Sequence, residues 1–255
     1  MNTAGYTTIF ARDSGLRSEV CVCISLFNYE QHITEALDSV LHQTLSPLDL
    51  VIVDDVSMDA SRRIAAKWVV ENQNRFNRLN FVSHYRNSGL SAARNTGFSI
   101  AQTEYVFVLD ADNSLYPRCI GRCLQAITAA KADFAYSIIE RFDSVTGSPD
   151  ALAPLMGVED WSKSRLQSGN YIDAMALIRK SAWAKVGGYR IMKHGWEDYD
   201  LWCKFAESDL QGVRVPEILC RYRVHGTSML NTTTKANSAT VVADMIKHHP
   251  WLNLN

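Results

Sequence analysis

No run of 18 apolar residues occurs in the 255-residue chain, so no segment is suited to crossing a bilayer as a helix. G-x-G-x-x-G does not follow the first strand-like segment and G-x-x-x-x-G-K-[ST] is missing, which excludes dinucleotide dehydrogenases and P-loop kinases. A basic surplus is missing as well. The 26 Lys+Arg face 27 Asp+Glu for a formal net charge of −1, and the basic residues are scattered, so no nucleic-acid partner is expected. Six cysteines (Cys21, Cys23, Cys119, Cys123, Cys203 and Cys220) lack C-x-x-C or Cys/His ribbon spacing. They read as buried free thiols rather than a zinc site. Residues 1–18 carry Arg12, Asp13 and Arg17 and no apolar h-region, so they are expected to be a flexible lead-in and not a secretory signal. A cytoplasmic location, at most peripheral to the inner face of the membrane, is the corresponding expectation.

What remains is a chain that is 47% hydrophobic and 21% charged, enough apolar material for a large core. V-C-V-C-I-S-L at Val20–Leu26 is β-branched and nearly all apolar, as a strand buried on both faces must be. Asn28 is placed to cap the next helix with Gln31 in capping-box position, and Ile33, Ala36, Leu37, Val40 and Leu41 follow at helical spacing. Further strands are predicted over 50–53, 79–83 and 105–109, with helices over 61–72 and 90–101 between them. Strand–helix alternation with short connections calls for a parallel sheet covered by helices, whose ligands sit beyond the carboxyl ends of the strands. The polar clusters fall there: residues 25–28, Asp54 with Asp55, and Asp110 with Asp112. The later chain is less regular. Helices are predicted over 117–130, 181–186 and 197–206, strands over 135–139 and 174–178, and a strand pair or extended arm over 213–224. A Ser/Pro/Gly/Asp-rich loop fills 143–157, and 143–167 is expected to be a lid.

Asp110 and Asp112 project to one side of extended backbone, so both carboxylates can face one hard divalent cation. Asp54 and Asp55 can hold a base or ribose, or simply cap a turn. Gly89 opens a helix whose N-terminus suits a diphosphate, with Arg94 adding charge unless it is a surface residue. In W-E-D-Y-D-L-W, Asp198 falls in the first helical turn, where an ionised carboxylate is favoured and can accept a hydroxyl proton. Trp196, Glu197 and residues 169–173 are placed for an acceptor pocket. His225 reads as a structural residue or a ligand, and His32/His42 and His248/His249 as surface pairs.

The motifs I-S-L-F-N-Y-E, V-I-V-D-D-V-S, N-S-G-L-S-A-A-R-N-T-G, V-L-D-A-D-N, V-G-G-Y, W-E-D-Y-D-L-W and Y-R-V-H-G-T-S-M, in this order over residues 20–229, resemble the family 2 glycosyltransferases. The resemblance implies an α/β GT-A fold: a Rossmann-like, mostly parallel sheet flanked by helices, with a smaller acceptor-binding half packed on it. It implies one domain over 19–230, with a nucleotide-binding half at 19–115, an acceptor-binding half at 116–230, and a tail at 231–255. It implies a nucleotide-diphosphate sugar as donor (a UDP-sugar foremost), a glycan or lipid-linked acceptor, Mn²⁺ or Mg²⁺ as cofactor, and inverting transfer in polysaccharide or glycoconjugate synthesis. In that reading Ser25, Phe27 and Asp55 hold the nucleobase, with Asn28, Gly89 and Arg94 beside the nucleotide. Asp110 takes the ribose, Asp112 the metal with Asp110 and His225, and Asp198 is the base. Two departures stand out: Ser25-Leu26-Phe27-Asn28 replaces the usual Pro-x-Tyr-Asn, and Asn113 follows the D-A-D where a third acid is common. V-F-V-L-D-A-D-N-S-L also resembles the first motif of haloacid-dehalogenase-like phosphatases, with Asp110 as nucleophile, and a non-catalytic sugar-nucleotide-binding module is a further alternative.

Overall fold

A computed structural model of the chain describes residues 4–150, 154–226 and 228–254. The elements, in order, are β1 (Tyr6–Asp13), β2 (Val20–Leu26), α1 (Ile33–Leu41), β3 (Asp49–Asp54), α2 (Ser61–Asn72), β4 (Arg78–His84), α3 (Leu90–Ile100), β5 (Tyr105–Asp110) and β6 (Ser114–Leu115). They continue with α4 (Cys119–Ala130), β7 (Phe134–Asp143), β8 (Leu155–Met156), α5 (Lys163–Leu166), β9 (Ala176–Arg179), α6 (Lys180–Lys185), α7 (Glu197–Glu207), β10 (Gly212–Val224) and α8 (Ser238–His248). One mixed sheet runs β1-β4-β3-β2-β5-β9-β7-β10-β6, with β8 paired to β7. Its centre, β4-β3-β2-β5, is parallel, and β7 pairs in parallel with β10. This is the predicted α/β class.

Alternation along the central strands explains why both faces are buried. Val22, Ile24, Leu50, Ile52, Phe107 and Leu109 face a core filled from α1, α2 and α4. Cys21, Cys23, Val51, Val53, Val106 and Val108 face the other way, against residues of α3, α6, α7 and α8. Strands covered on both sides must be apolar at every position, which is the pattern read from the sequence. All six cysteines are free and buried.

Several expectations are corrected. Residues 6–13 form β1, antiparallel to β4, and Arg12 donates to the carbonyls of Gln73 and Phe76 at 2.6 and 3.1 Å. Thr7, Thr8, Ile9 and Phe10 are strand formers, but as a half-exposed edge they lack the apolar run that betrays a buried strand. The tail also folds: α8 buries Val241 and Met245, and Leu252 follows them into the core. Asn28 caps no helix. It sits at φ 58° and accepts from the Met58 N–H at 2.8 Å, while α1 begins at Ile33 with no side-chain cap. Of the strand pair or extended arm expected over 213–224, the structure has the single extended element, whose register slips where Pro216 removes a donor. The expected lid is anchored: β8 pairs with β7 and Trp161 Nε1 donates to Leu210 O at 3.1 Å, with residues 151–153 outside the described residues.

Helix α3 lies close on β2 because Gly97 has no Cβ; an added one would stand 2.0 Å from Cys23 Sγ. Gly97→Ala is therefore expected to destabilise by about 1–3 kcal/mol despite alanine's better helix propensity. Cys23→Ala should restore part of that loss in the double variant, as read from urea unfolding midpoints. A Gly97→Ala protein more stable than the parent would contradict this packing.

Candidate active site

Beyond the carboxyl ends of β2, β3 and β5 lies a cleft of about 760 Å³. Ser25, Phe27, Asn28, Asp55 and Gly89 line one end, Asp110 and Asp112 the floor, and His225 the far wall. Phe27 is 39% exposed, a ring open to stacking, and Ser25 Oγ is buried with no partner of its own. Asp54 points away, fully buried, and is bound by Arg62 Nε at 2.7 Å and Ser83 Oγ at 2.8 Å. Its neighbour Asp55 does line the cleft, yet its carboxylate is already engaged. The Ser88 and Gly89 N–H groups donate to it at 2.8 and 2.7 Å, and His84 Nδ1 lies 2.6 Å away. Asp55 thus fastens the turn before α3, where Gly89 takes φ 86°.

The D-A-D turn is tied to the end of β10. Arg223 Nε donates to Asp112 O at 3.0 Å, and Asn113 Oδ1 accepts from the Arg223 N–H at 2.8 Å. Asn113, a departure from the family pattern, is therefore a fastener. His225 Nε2 lies 2.9 Å from Asp112 Oδ2, and the rings of Tyr29 and His32 pack on His225 at 6.0 and 5.5 Å. His32 is thus a wall of the cleft rather than a surface residue. Burial, then the Asp112 and Asp110 charges, pushes the Tyr29 hydroxyl pKa up, and burial lowers that of His32. Asp112 and Asp110 offer hard carboxylate oxygens and His225, 2.9 Å from Asp112, a borderline imidazole nitrogen, a set that suits a divalent cation completed by substrate phosphates. Among the described residues, no three His, Cys, Asp or Glu side chains converge as a metal cage.

Arg94 and Glu197 correct the sequence reading. Arg94 is 1% exposed and contacts no open part of the cleft. Its Nη2 donates to Asp110 Oδ1 at 2.7 Å and its Nη1 to Glu197 Oε1 at 2.6 Å, with the guanidinium 5.5 Å from the Tyr189 ring centre. Glu197 is turned inward to that pair, buried at 4% exposure, so it is not available to an acceptor. The physical reason is that α3 is buried along nearly its whole length between the sheet and α7, where a lone guanidinium requires carboxylate partners.

Asp198 follows in the first turn of α7, after Trp196 in a left-handed conformation at φ 66°. Trp196 stands outside the cleft's lining and packs edge-on against Tyr199 at 5.7 Å. Asn170, within the 169–173 segment expected at the acceptor pocket, donates from Nδ2 to Asp198 Oδ2 at 2.9 Å, and the Tyr199 N–H donates to Oδ1 at 2.8 Å. Burial, then the Glu197 charge, pushes Asp198 up to about 7 against the pull of Arg94. Asp173 is pushed up to about 8 by burial and by the charges of Asp110 and Asp198. It precedes β9, which runs antiparallel to β5, so the same register carried onward brings Asp173 to the D-A-D turn. Asp110 thus lines the cleft and acts electrostatically on Asp198 and Asp173, which stand outside its lining. None of residues 143–150 or 154–167 lines the cleft; Lys193, Ser228, Met229, Thr232 and Thr233 overhang it instead.

Comparison with known proteins places this geometry. Residues 21–187 match the family described as Glycosyl transferase family 2, a span that stops short of Asp198. EpsE of Bacillus subtilis (strain 168), provisionally named a glycosyltransferase, is 24% identical over 212 residues, covering 80% of this chain and 73% of EpsE. Two other relatives from that organism are 35% and 36% identical, but the chain spans only 27% and 26% of their lengths. The S. aureus TarS 1–349 complex with UDP-GlcNAc superposes with a TM-score of 0.67 at 18% identity, covering 84% of this chain and 61% of that one. Mannosyltransferase PcManGT from Pyrobaculum calidifontis, in complex with GDP-Man and Mn²⁺, gives 0.65 at 17% identity, covering 93% and 68%. At these identities the two structures establish the fold.

The raised Asp198 carboxyl has a consequence for stability. Its folded pKa of about 7 exceeds the ordinary 3.8, so through that window the folded chain keeps a proton that the unfolded chain releases. Stability falls as pH rises from about 4 to 7, and the full cost stands above 7. Asp198→Asn is expected to raise the melting temperature at pH 8 and leave it unchanged at pH 3.5, as read by calorimetry. A variant that melts lower than the parent at pH 8 would show that Asp198 is not a strained carboxylate.

Proposed function

This chain belongs to glycosyl transferase family 2, and from that membership we propose that it moves a glycosyl group from a nucleotide-diphosphate sugar to an acceptor hydroxyl with inversion. A UDP-sugar is the first donor to consider, since TarS is described with UDP-GlcNAc; PcManGT, described with GDP-Man, makes a GDP-sugar the second. The chain spans only part of several relatives, so the acceptor, a glycan or a lipid-linked saccharide in polysaccharide or glycoconjugate synthesis, is part of the proposal. The observation that carries it is Asp110, which lines a cleft of about 760 Å³ and lies within electrostatic reach of Asp198.

The nucleobase stacks on Phe27, at the end of the cleft that Ser25 also lines, and Asp110 accepts from the ribose. Asp112 and His225, with the carboxylate of Asp110 adjoining, are the residues that would hold Mn²⁺ or Mg²⁺. Such an ion supplies positive charge to a departing diphosphate. Asp198, oriented by Asn170 and the Tyr199 N–H, takes the proton from the acceptor hydroxyl. The hydroxyl oxygen forms a bond to the anomeric carbon as the bond to the diphosphate oxygen breaks, and the diphosphate departs with that electron pair. A carboxyl near pKa 7 suits a base working at neutral pH, so the rate is expected to climb with pH through about 7. Family membership and the three βα units that precede the D-A-D leave no support for the phosphatase reading.

A thermal-shift screen of UDP, GDP and their sugars, with and without Mn²⁺, tests this. Stabilisation should follow ligand concentration and depend on the metal. Asp112→Ala should lose the metal-dependent part, while Asp198→Asn should bind the nucleotide as the parent does and lose about 10²–10⁴-fold in transfer rate. Full turnover by Asp198→Asn would rule out the assigned base.

A further inference from the structure

The helix that carries Asp198 is held at its first turn by Arg94, but it has a second attachment, and this one comes from the end of the chain. Asp200 lies one residue pair beyond Asp198, with its N–H donating to Trp196 O at 2.9 Å and its side chain 1% exposed. Arg190 Nε donates to Asp200 Oδ1 at 2.6 Å, and Lys204 Nζ stands 3.3 Å from Oδ2. The third partner is His249, expected at the surface but 3% exposed, whose Nε2 lies 3.1 Å from Asp200 Oδ1. Its Nδ1 lies 2.7 Å from Glu207 Oε1, one end of α7 away. An imidazole with a carboxylate at each nitrogen donates from both, and only the protonated ring has two N–H groups.

The same segment makes three further ties. Arg190 Nη1 donates to Asp244 Oδ2 on α8 at 2.5 Å, Trp251 Nε1 to Glu207 Oε1 at 2.6 Å, and the Asn253 N–H to Gln167 O at 2.8 Å. Residues 238–254 thus span α7 from its first turn to its last, and they lie wholly beyond the family-matched span. We propose that this segment is a clasp in which His249, as an imidazolium bridging Asp200 and Glu207, positions α7 and through it the base Asp198. The link to catalysis rests on the function proposed above; the clasp itself does not.

The charged groups facing His249 are Asp200, Glu207 and Lys204 on α7, Arg190 on the preceding connection, and Asp244 and His248 on its own helix, with Lys163 of α5 over the Trp251 ring. Hydrogen bonds to Asp200 and Glu207 outweigh burial and raise the His249 pKa above 6.5. Asp200 is held down to about 2, chiefly by His249, Lys204 and Arg190 against burial. The clasp is therefore at full strength below pH 6.5 and weakens as pH rises through the raised His249 value, while acid breaks it only toward pH 2.

The test is amide hydrogen exchange on the full chain, read by mass spectrometry and corrected for intrinsic rates. At pH 6.5, His249→Ala should raise exchange across residues 197–204 at least tenfold while residues 20–26 and 105–110 stay unchanged. His249→Gln, whose amide reaches the Nε2 position and can donate to Asp200, should recover most of that protection; His249→Asn, which reaches only toward Glu207, should not. Between pH 6.5 and 9 the parent should lose clearly more protection in α7 than His249→Gln, whose remaining response is that of Asp198 and Asp173; an equal loss in both would overturn the imidazolium's part in the clasp. With whichever of UDP-GlcNAc or GDP-mannose supports transfer, kcat should fall in step with lost protection and donor KM should hold. Exchange that rises only over 238–254, or evenly over the whole chain, would overturn the clasp. An absence of transfer with either donor would bear on the proposed function alone.

Discussion

A single buried guanidinium holds the site together. Arg94 has one fork on Asp110, where the first half of the chain ends its fourth parallel strand, and the other on Glu197, where the second half begins its acidic helix. A guanidinium 1% exposed is costly unless both forks are matched, and two carboxylates this close are costly without it. The arrangement is therefore mutual: neither half's acids can sit where they do without the arginine, and the arginine cannot be buried without both. What the pairing accomplishes is to set the residue after Glu197, Asp198, against the strand end that carries the D-A-D turn.

Everything around Arg94 serves that approach. Gly97, one turn on, lets α3 settle against Cys23, and Asn95 exchanges hydrogen bonds with Tyr189 at 2.8 Å in each direction. Asp55 pins the turn that starts α3, so the Phe27 end of the cleft and the helix bearing Arg94 share one support. At the other end, the Asp200 cluster and the C-terminal segment hold α7 from behind. Asp110 and Asp198, the acids proposed to act on substrate, are thus each backed by groups that do not line the cleft. This division explains the opposing trends of the carboxyls: Asp200, richly paired, is driven low, while Asp198 and Asp173, crowded by acids and burial, are driven high.

The parts legible in the sequence were those with a strong period. Continuous apolar runs marked β2, β3 and β5 because strands covered on both sides tolerate nothing else, and their acidic ends marked the cleft. Edge and tail elements were not legible. β1 exposes most of its residues, and α8 hides behind a Thr/Asn-rich stretch that reads as loop. Arg94 and Glu197 were misplaced for a related reason. A single charged residue carries no periodic signal, and whether it faces solvent or a buried partner depends on a contact 103 positions away. His249 shares that difficulty: it acts on α7 across a separation of more than 40 residues. The D-A-D pair and Asp198 stand out in the sequence because type and position coincide, an acid at a strand end or in a first helical turn.

The most direct test of the account is a crystal structure with a nucleotide-diphosphate sugar and Mn²⁺ bound. The base is expected against Phe27, with Asp55 still holding the turn before α3, the diphosphate beside Asp112 and His225, and Arg94 still on Asp110 and Glu197, touching no phosphate. A nucleotide bound with Arg94 swung onto its phosphates and Glu197 released would contradict it.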